Sequence, residues 1–311
     1  MKKAFVTGGA GFIGSNLVDA LVQQQVQVTV YDDLSSGKKE FIQHHKDNIQ
    51  FIKADLIDAK TLEQSIPDHD VVFHLAANPD VRLGEQQPQV AKKDTIATYN
   101  LLEAMRKNQI KKIAFASSST VYGETPPTPL KENYGPLLPI SLYGAAKLAS
   151  EALISSFSHT FDMQTWLFRF ANVVGIRGTH GVIVDFINKL KANPKQLEIL
   201  GDGKQKKPYL YVTDCVQGIL HGYNHGTDQI NIYNLGCETA TEVTRIGEMV
   251  VEEMNLENVE FKYTGGKRGW KGDVPQFQFD VNKINKLGWK AKYTSDDAVR
   301  KAIQDCLKTL F

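Results

Sequence analysis

A phenol and an amine four residues apart form the pair of side chains best suited to acid–base chemistry. Tyr143 and Lys147 stand in the run Tyr-Gly-Ala-Ala-Lys, and residues at i and i+4 share one face of a helix. A nearby ammonium favours the phenolate and lowers the pKa of the phenol. The sequence therefore predicts that Tyr143 is a general base near neutral pH and that Lys147 supports its charge.

A hydroxyl group earlier in the chain completes the predicted catalytic set. Ser118 follows the apolar run 112–116, which indicates a buried strand. Its hydroxyl is expected to hydrogen-bond the reacting oxygen and to help relay the proton. The stretch 117–120 also suits a turn whose side chains satisfy backbone groups, so both interpretations stay open.

Near the start of the chain, three glycines lie between a predicted strand and a predicted helix. Gly8 permits a tight turn, Gly11 lets a diphosphate approach the helix start, and Gly14 lets the helix pack on the strand. Asp32 ends the next predicted strand, and an acid roughly 20 residues after such a turn binds the ribose diol of a dinucleotide. We expect a dinucleotide here, and Asp32 beside Asp33 favours NAD over NADP.

The segment that follows Asp33 has two interpretations. Ser35 offers a hydroxyl, Gly37 flexibility and Lys38 a cation. The segment either closes over the phosphates of the cofactor or is an ordinary solvated loop.

Strands and helices alternate through the first part of the chain. Continuous apolar runs such as 71–75 are typical of strands buried on both faces, and His74 within that run is expected to be a packed core histidine. The alternation predicts an α/β fold with a Rossmann-type, doubly wound parallel sheet. The carboxyl ends of its strands, where small residues such as Ala76 and Ala77 follow the run, would bind the ligand.

The pattern changes after residue 172, where glycines and polar loops become frequent. This change predicts a smaller α+β part that completes the site. We expect a NAD-binding domain at 1–171 and a mainly substrate-binding domain at 172–311, with segments around 209–235 packing back on the first domain.

The composition narrows the functional classes. The chain has 311 residues, 42% of them hydrophobic, and a formal net charge of +1. This balance gives no electrostatic reason to expect nucleic acid or an anionic membrane as a partner. No stretch approaches the ~20 apolar residues that a spanning helix needs. The three cysteines have neither zinc-site nor disulfide spacing, so we expect a cytoplasmic protein without a metal.

Together these motifs resemble those of one enzyme family. The chain resembles the NAD-dependent sugar-nucleotide epimerases and dehydratases, a group of extended short-chain dehydrogenases/reductases, and within it the UDP-glucose 4-epimerases. The resemblance extends over essentially the whole chain and rests on the segments 8–14, 74–77, 117–123, 143–147, 169–175, 201–203 and 233–236.

The resemblance implies a role for individual residues. The chemistry would be carried by Ser118, Tyr143 and Lys147. NAD would be contacted by Gly8, Gly11, Phe12, Ile13, Asp32, Asp33, Ser35, Gly37, Asp55, Leu56, Leu75, Ala76, Ala77, Tyr143 and Lys147. The nucleotide-sugar would be held by Ser118, Asn172, Val182, Leu200, Lys207, Arg268, Asp273 and Phe277.

The implied activity is that of an isomerase of galactose metabolism. It would invert C4 of UDP-glucose or UDP-galactose through a transient 4-keto sugar. Related dehydratases and decarboxylases carry an acid just after the position of Ser118, whereas here Ser119 and Thr120 follow. Other interpretations stay open: a UDP-N-acetylhexosamine or UDP-hexuronate 4-epimerase, a nucleotide-sugar reductase, or an inactive NAD-binding sensor.

The chain departs from the family pattern at several positions. Asp94 stands where the family usually has Asn, and Lys207 replaces the commoner Arg. The spacing between Arg268 and Asp273 differs from the common Arg-x-Gly-Asp. Two alternatives stay open: Lys207 is an ordinary solvated charge, and Phe277 packs in the core instead of lining the sugar pocket.

The resemblance also implies a homodimer. The helices 95–107 and 142–157 would pair with their copies as a four-helix bundle. Their apolar content exceeds one core-facing stripe, and the residues concerned are Tyr99, Leu101, Leu102, Leu148, Leu153 and Ile154.

Overall fold

The computed structural model describes residues 1–126 and 128–309, so residues 310 and 311 of the second predicted domain lie outside the described residues. The strands are β1 Lys3–Thr7, β2 Gln27–Asp32, β3 Ile49–Lys53, β4 Val71–His74, β5 Lys112–Ser118, β6 Gln164–Phe170, β7 Asn172–Val174, β8 Gln196–Ile199, β9 Lys206–Lys207, β10 Tyr209–Tyr211, β11 Ile230–Leu235, β12 Thr241–Glu242 and β13 Glu260–Tyr263. The helices are α1 Phe12–Gln23, α2 Ala59–Ser65, α3 Leu83–Gln86, α4 Gln89–Lys107, α5 Leu142–Phe161, α6 Val182–Ala192, α7 Val212–His225, α8 Val243–Glu253, α9 Asn282–Lys286 and α10 Ser295–Thr309. Short 3₁₀ helices cover Lys39–Phe41, Gln43–His45 and Ser119–Tyr122.

The main sheet in the described part of the chain has seven strands in the order β11-β6-β5-β4-β1-β2-β3. β1 pairs in parallel with β2 on one side and β4 on the other, so the chain moves outward to β3 and then returns past its own start. This change of direction is the topological switch point of a doubly wound sheet. The predicted α/β fold with a Rossmann-type parallel sheet is confirmed.

The described chain divides into two compact units. Unit 1 consists of Met1–Gly123, Gly135–Arg169 and Ile219–Tyr233. Unit 2 consists of Glu124–Tyr134, Phe170–Gly218 and Asn234–Phe311, of which all residues but 127, 310 and 311 are described. The predicted boundary at residue 171 stays a prediction. Within the described residues, no helix combines the length and the apolar character that crossing a membrane requires.

The core of unit 1 explains the apolar runs of its sequence. Phe5 on β1 and Val72 on β4 are fully buried, as expected for strands in the middle of a covered sheet. Leu101, Leu102 and Ile154 are fully buried in the same core. These three residues were predicted to be surplus apolar surface for a dimer, and that interpretation is wrong because α4 and α5 need them to cover the sheet.

Unit 2 has an apolar core of its own. Helices α6, α8 and α10 contribute Ile187, Val250 and Ile303, all fully buried. Leu197 on β8 belongs to the same cluster, and β8 pairs in parallel with β13. Short strands and helices thus share one core in this unit.

A buried ion pair connects α5 to β6 in unit 1. Arg169 Nη2 lies 2.7 Å from Glu151 Oε2 and Arg169 Nε lies 3.0 Å from Glu151 Oε1, with both side chains less than a tenth exposed. The Ser117 hydroxyl donates to Glu151 Oε1 at 2.5 Å. Burial acts to lower the pKa of Arg169, but the bond to Glu151 raises it above its ordinary value. The pair fixes α5 against the ends of β5 and β6.

We predict that Glu151→Gln lowers the free energy of unfolding by about 3–5 kcal/mol, because Arg169 would remain buried without a counter-charge. Chemical denaturation followed by circular dichroism measures this loss. Glu103→Gln is the matched control, since Glu103 pairs with Arg106 on the surface and both side chains are partly exposed. Equal losses in the two variants would contradict the role given to the buried pair.

Candidate active site

The glycine turn between β1 and α1 is closed on one side and open on the other. A Cβ on Gly8 would lie 2.7 Å from the backbone nitrogen of Ala76, and one on Gly14 would lie 2.0 Å from the carbonyl oxygen of Gly8. A Cβ on Gly11 would approach only the carbonyl oxygen of Gly8, at 3.1 Å. No side chain caps α1 at Gly11, so its first N–H groups and their partial positive charge suit an anion.

Asp32 lies beside this turn, at the end of β2. Its Oδ2 accepts the Ala10 N–H at 2.9 Å and its Oδ1 accepts the Leu34 N–H at 2.8 Å. Burial raises the pKa of Asp32, while these two hydrogen bonds act to lower it. A carboxylate has about four lone-pair sites, so further donors such as a ribose diol fit the same group. The Lys38 N–H donates to the Ala10 carbonyl at 2.9 Å, which attaches the following loop to the turn.

A lysine that the sequence analysis missed connects the acids at the ends of β2 and β3. Lys93 Nζ lies 2.8 Å from Asp55 Oδ2 and 3.7 Å from Asp33 Oδ2. Asp33 Oδ1 also accepts the N–H and the hydroxyl of Ser35, at 2.8 and 2.5 Å. The structure thus brings Asp33, Ser35 and Asp55 together. Lys93 carried no signal because it is one of many lysines on helix surfaces.

The phenol of Tyr143 lies against the hydroxyl of Ser118. Burial raises the pKa of Tyr143 to about 12, the hydrogen bond with Ser118 acts to lower it, and the charge of Asp94 acts to raise it. Ser118 Oγ also accepts from the Thr120 N–H at 3.2 Å, so Ser118 fills the turn role as well. The expectation of a lowered Tyr143 pKa is wrong for the ligand-free protein, because the loss of hydration outweighs the hydrogen bond with Ser118.

Lys147 is buried one helical turn after Tyr143. Its Nζ donates to the Ala116 carbonyl at 2.7 Å and lies 5.7 Å from the centre of the Tyr143 ring. Burial lowers the pKa of Lys147 to about 8, while the charges of Asp94 and Glu151 act to raise it. The ammonium therefore loses its proton as the pH rises through about 8.

A chain of hydrogen bonds through His74 holds these elements in register. His74 Nδ1 lies 2.8 Å from Thr7 Oγ1 and Nε2 lies 3.1 Å from Thr98 Oγ1, which in turn lies 3.0 Å from Ser150 Oγ. Burial lowers the pKa of His74 to about 3, with the charge of Lys147 adding to the effect. The prediction of a packed core histidine is confirmed, and the two threonines were missed because their partners are distant in sequence.

Asp94 lies close to both Tyr143 and Lys147 in the candidate site. Its two carboxylate oxygens accept the Asn78 N–H at 3.2 Å, and burial raises its pKa while Lys147 acts to lower it. Asp94 lines one small cavity beside Tyr143 and a second beside Lys147, Ala76 and Ala77. The acid is therefore neither turned away from the site nor exposed.

In unit 2, two of the predicted substrate residues, Lys207 and Arg268, contact a third, Asp273. Lys207 Nζ lies 2.5 Å from Asp273 Oδ1, and the Gly269 N–H donates to Asp273 Oδ2 at 3.1 Å. Arg268 donates to the Asp273 carbonyl at 2.9 Å and forms an ion pair with Glu124. Lys207 is thus a largely buried, paired cation and not a freely solvated charge.

The other predicted substrate residues lie on separate elements of unit 2. Asn172 on β7 is paired with Tyr209 on β10. Val182 is the first residue of α6, whose N-terminus has no side-chain cap, and the Leu200 carbonyl accepts from Gln205 Nε2 at 3.3 Å. Phe277 is partly exposed, whereas Phe279, whose ring centre is 5.3 Å away, is buried. The core position on this segment therefore belongs to Phe279.

Comparisons with known proteins identify the family of this chain. The model of the NAD dependent epimerase/dehydratase family matches residues 4–236. A putative UDP-glucose 4-epimerase of Methanocaldococcus jannaschii is 34% identical over 306 residues, which cover 96% of each chain. The crystal structure of a UDP-galactose 4-epimerase is similar at a TM-score of 0.89 and 41% identity, over 99% of this chain and 100% of that one.

A third similarity widens the range of substrates among the relatives. The structure of a UDP-N-acetylglucosamine 4-epimerase from Methanobrevibacter ruminantium, in complex with UDP-N-acetylmuramic acid, has a TM-score of 0.88 at 31% identity and covers 99% of each chain. Because the family model and the full-length relatives agree, the chain belongs to the NAD-dependent epimerase/dehydratase family.

Proposed function

We propose that this protein is a UDP-hexose 4-epimerase that interconverts UDP-galactose and UDP-glucose with bound NAD. The observation that carries the proposal is the hydrogen bond between Tyr143 and Ser118, one helical turn from the buried ammonium of Lys147. In its phenolate form, Tyr143 in this position can take a proton from a sugar hydroxyl and return it. Full-length relatives named as 4-epimerases support the same reaction.

The residues of unit 1 fit NAD. The open space in front of Gly11 and the uncapped start of α1 suit a diphosphate, and a side chain on Gly11 would fill that space. Asp32 retains acceptor sites for the ribose diol, and its negative charge opposes a 2′-phosphate. When bound, NAD supplies the acceptor and donor of hydride at C4.

The proton chemistry belongs to Tyr143. A phenol with a pKa of about 12 stays protonated at neutral pH. A nearby positive charge must therefore lower this pKa before Tyr143 can act as a base. The ammonium of Lys147 and the positive nicotinamide ring both favour the phenolate. Ser118 hydrogen-bonds the sugar oxygen O4, whose proton Tyr143 takes. The proton leaves O4 while C4 is oxidised, and it returns after the 4-keto sugar has turned.

The residues after Ser118 support epimerisation over elimination. The Thr120 hydroxyl donates to Ser118 Oγ at 3.0 Å, and neither Thr120 nor Ser119 has an acidic group that could move a proton at C5. Reversible oxidation at C4 needs only Tyr143, Ser118 and the cofactor. The intact set of these residues and Lys147 also disfavours an inactive NAD-binding sensor.

Recognition of the UDP group is assigned to unit 2. Lys207 and Arg268 are cations that suit a diphosphate, and Arg268 offers the better bidentate fork. Each has a carboxylate partner, Asp273 and Glu124 respectively. In the proposed role, Lys207 and Arg268 therefore bind the diphosphate while they keep their ion pairs with Asp273 and Glu124.

A homodimer is part of the proposal. Tyr99 on α4 and Leu142 at the start of α5 expose 48% and 42% of their surface, and Ile96 on α4 exposes 38%. Since Leu101, Leu102 and Ile154 are core residues, the apolar surface left for a dimer is smaller than the sequence indicated.

We predict that Tyr143→Phe lowers kcat by about 10²–10⁴-fold while NAD stays bound, since the change removes only the proton acceptor. A coupled assay for UDP-glucose production measures kcat, and the NAD released on denaturation measures cofactor content. Tyr263→Phe, at an exposed tyrosine of β13, is the control and should keep full activity. A near-normal kcat in Tyr143→Phe would remove Tyr143 from the chemistry.

Phe277 sets the predicted preference for the sugar. A bulky ring beside the C2 substituent would hinder the rotation of an N-acetyl sugar, and overpacking of this kind costs ~1–3 kcal/mol, or about tenfold to a hundredfold in rate. We expect the wild type to prefer UDP-galactose and Phe277→Ser to gain activity on UDP-N-acetylglucosamine. NMR product analysis and kcat/KM for both substrates, with UDP-glucuronate as a third, test this. An unchanged kcat/KM ratio would place Phe277 outside the sugar pocket.

A further inference from the structure

Two histidines and an aspartate converge at one point on the surface of unit 1. His44 Nε2 lies 2.8 Å and His45 Nε2 lies 3.0 Å from the same oxygen, Asp19 Oδ1. Asp19 is on α1, and the histidines are in the 3₁₀ helix Gln43–His45, between β2 and β3. We call these three residues the Asp19 cluster. The candidate active site does not use them.

The backbone directs two neighbouring side chains to one partner. The rings of His44 and His45 are adjacent in sequence, yet their centres are only 4.1 Å apart and both Nε2 atoms approach Asp19. One potential ligand atom from each residue lies within 4.8 Å of the other two. Such convergence of imidazole nitrogens and a carboxylate oxygen is the arrangement of ligands around a small cation.

We propose that the Asp19 cluster binds one divalent transition-metal ion of the Zn²⁺ class. Two ligands at about 2.05 Å from a tetrahedral ion are about 3.3 Å apart, so each histidine nitrogen must move only a few tenths of an ångström away from Asp19 Oδ1. The two histidine nitrogens lie within 4.8 Å of each other. Two nitrogens and one oxygen suit Zn²⁺, Co²⁺ or Ni²⁺, whereas Mg²⁺ and Ca²⁺ prefer oxygen ligands alone. The His44 side chain is 48% exposed, which leaves access for the ion and for a water as fourth ligand.

The ion would link two segments that are far apart in sequence. Asp19 is on the helix that begins at the glycine turn, and the histidines lie in the connection between β2 and β3 that also carries Ser35 and Gly37. The side chains of Asp19 and His45 are 24% and 14% exposed, so two of the three ligands are already held in place. Metal binding would therefore fasten the loop after β2 to α1. This inference does not depend on the proposed reaction.

Zn²⁺ titration of tag-free, EDTA-treated protein by calorimetry tests the proposal, with the absorption spectrum of added Co²⁺ as a second measurement. We expect one Zn²⁺ per chain at this site, and affinity reduced by more than about 100-fold in His44→Gln/His45→Gln, since loss of an outer-shell partner alone costs 10–100-fold. Asp19→Asn should also weaken binding while it keeps the shape of the side chain. The apo variants are compared by thermal unfolding to confirm that they fold.

Two controls separate the Asp19 cluster from other histidines. His159→Gln removes an exposed histidine of α5, and His225→Gln removes one of two stacked histidines on α7, whose ring centres are 4.0 Å apart. Both should bind Zn²⁺ at the Asp19 cluster as the wild type does. Unchanged binding in His44→Gln/His45→Gln, or loss of the tight site in His225→Gln instead, would show that the three residues form a hydrogen-bonded cluster without a metal.

Discussion

The buried ammonium of Lys147 is the constraint on which the rest of the candidate site depends. Burial removes the hydration of this charged amine, and the lost hydration must be replaced by interactions within the protein. The ammonium donates to the Ala116 carbonyl at 2.7 Å and lies near the charges of Asp94 and Glu151. These partners come from the end of β5 and from α4 and α5. The packing that satisfies one cation therefore also fixes the helix that carries Tyr143.

The same helix face extends the network in both directions. Tyr143, Lys147 and Glu151 recur every four residues, so one face presents a phenol, an ammonium and a carboxylate in order. Glu151 is paired with Arg169 on β6. Ser150 ends the hydrogen-bond chain that starts at Thr7, the last residue of β1. The close contact of Gly8 with the backbone of Ala76 joins that turn to the end of β4. Tight packing at the switch point thus sets the distance between the glycine turn and helix α5.

Local patterns allowed much of this arrangement to be predicted. The strand at 71–74, the glycine turn and the Tyr143–Lys147 spacing depend on residues close together in the chain. The raised pKa of Tyr143 did not follow from the sequence, because desolvation is a property of the packed structure. For the same reason, the sequence did not distinguish Leu101 and Ile154, which are in the core, from Tyr99, which is exposed.

The ionisation of Tyr143 with and without NAD⁺ tests the central claim most directly. The phenolate absorbance of the wild type minus that of Tyr143→Phe, followed between pH 6 and 10, reports this group alone. Because burial holds its pKa at about 12, we expect no ionisation in this range without NAD⁺. With NAD⁺ bound, the added positive charge should lower the pKa by about 1–3, so that the phenol begins to ionise within the range. Identical titrations in the two states, or ionisation near neutral pH without NAD⁺, would contradict the account.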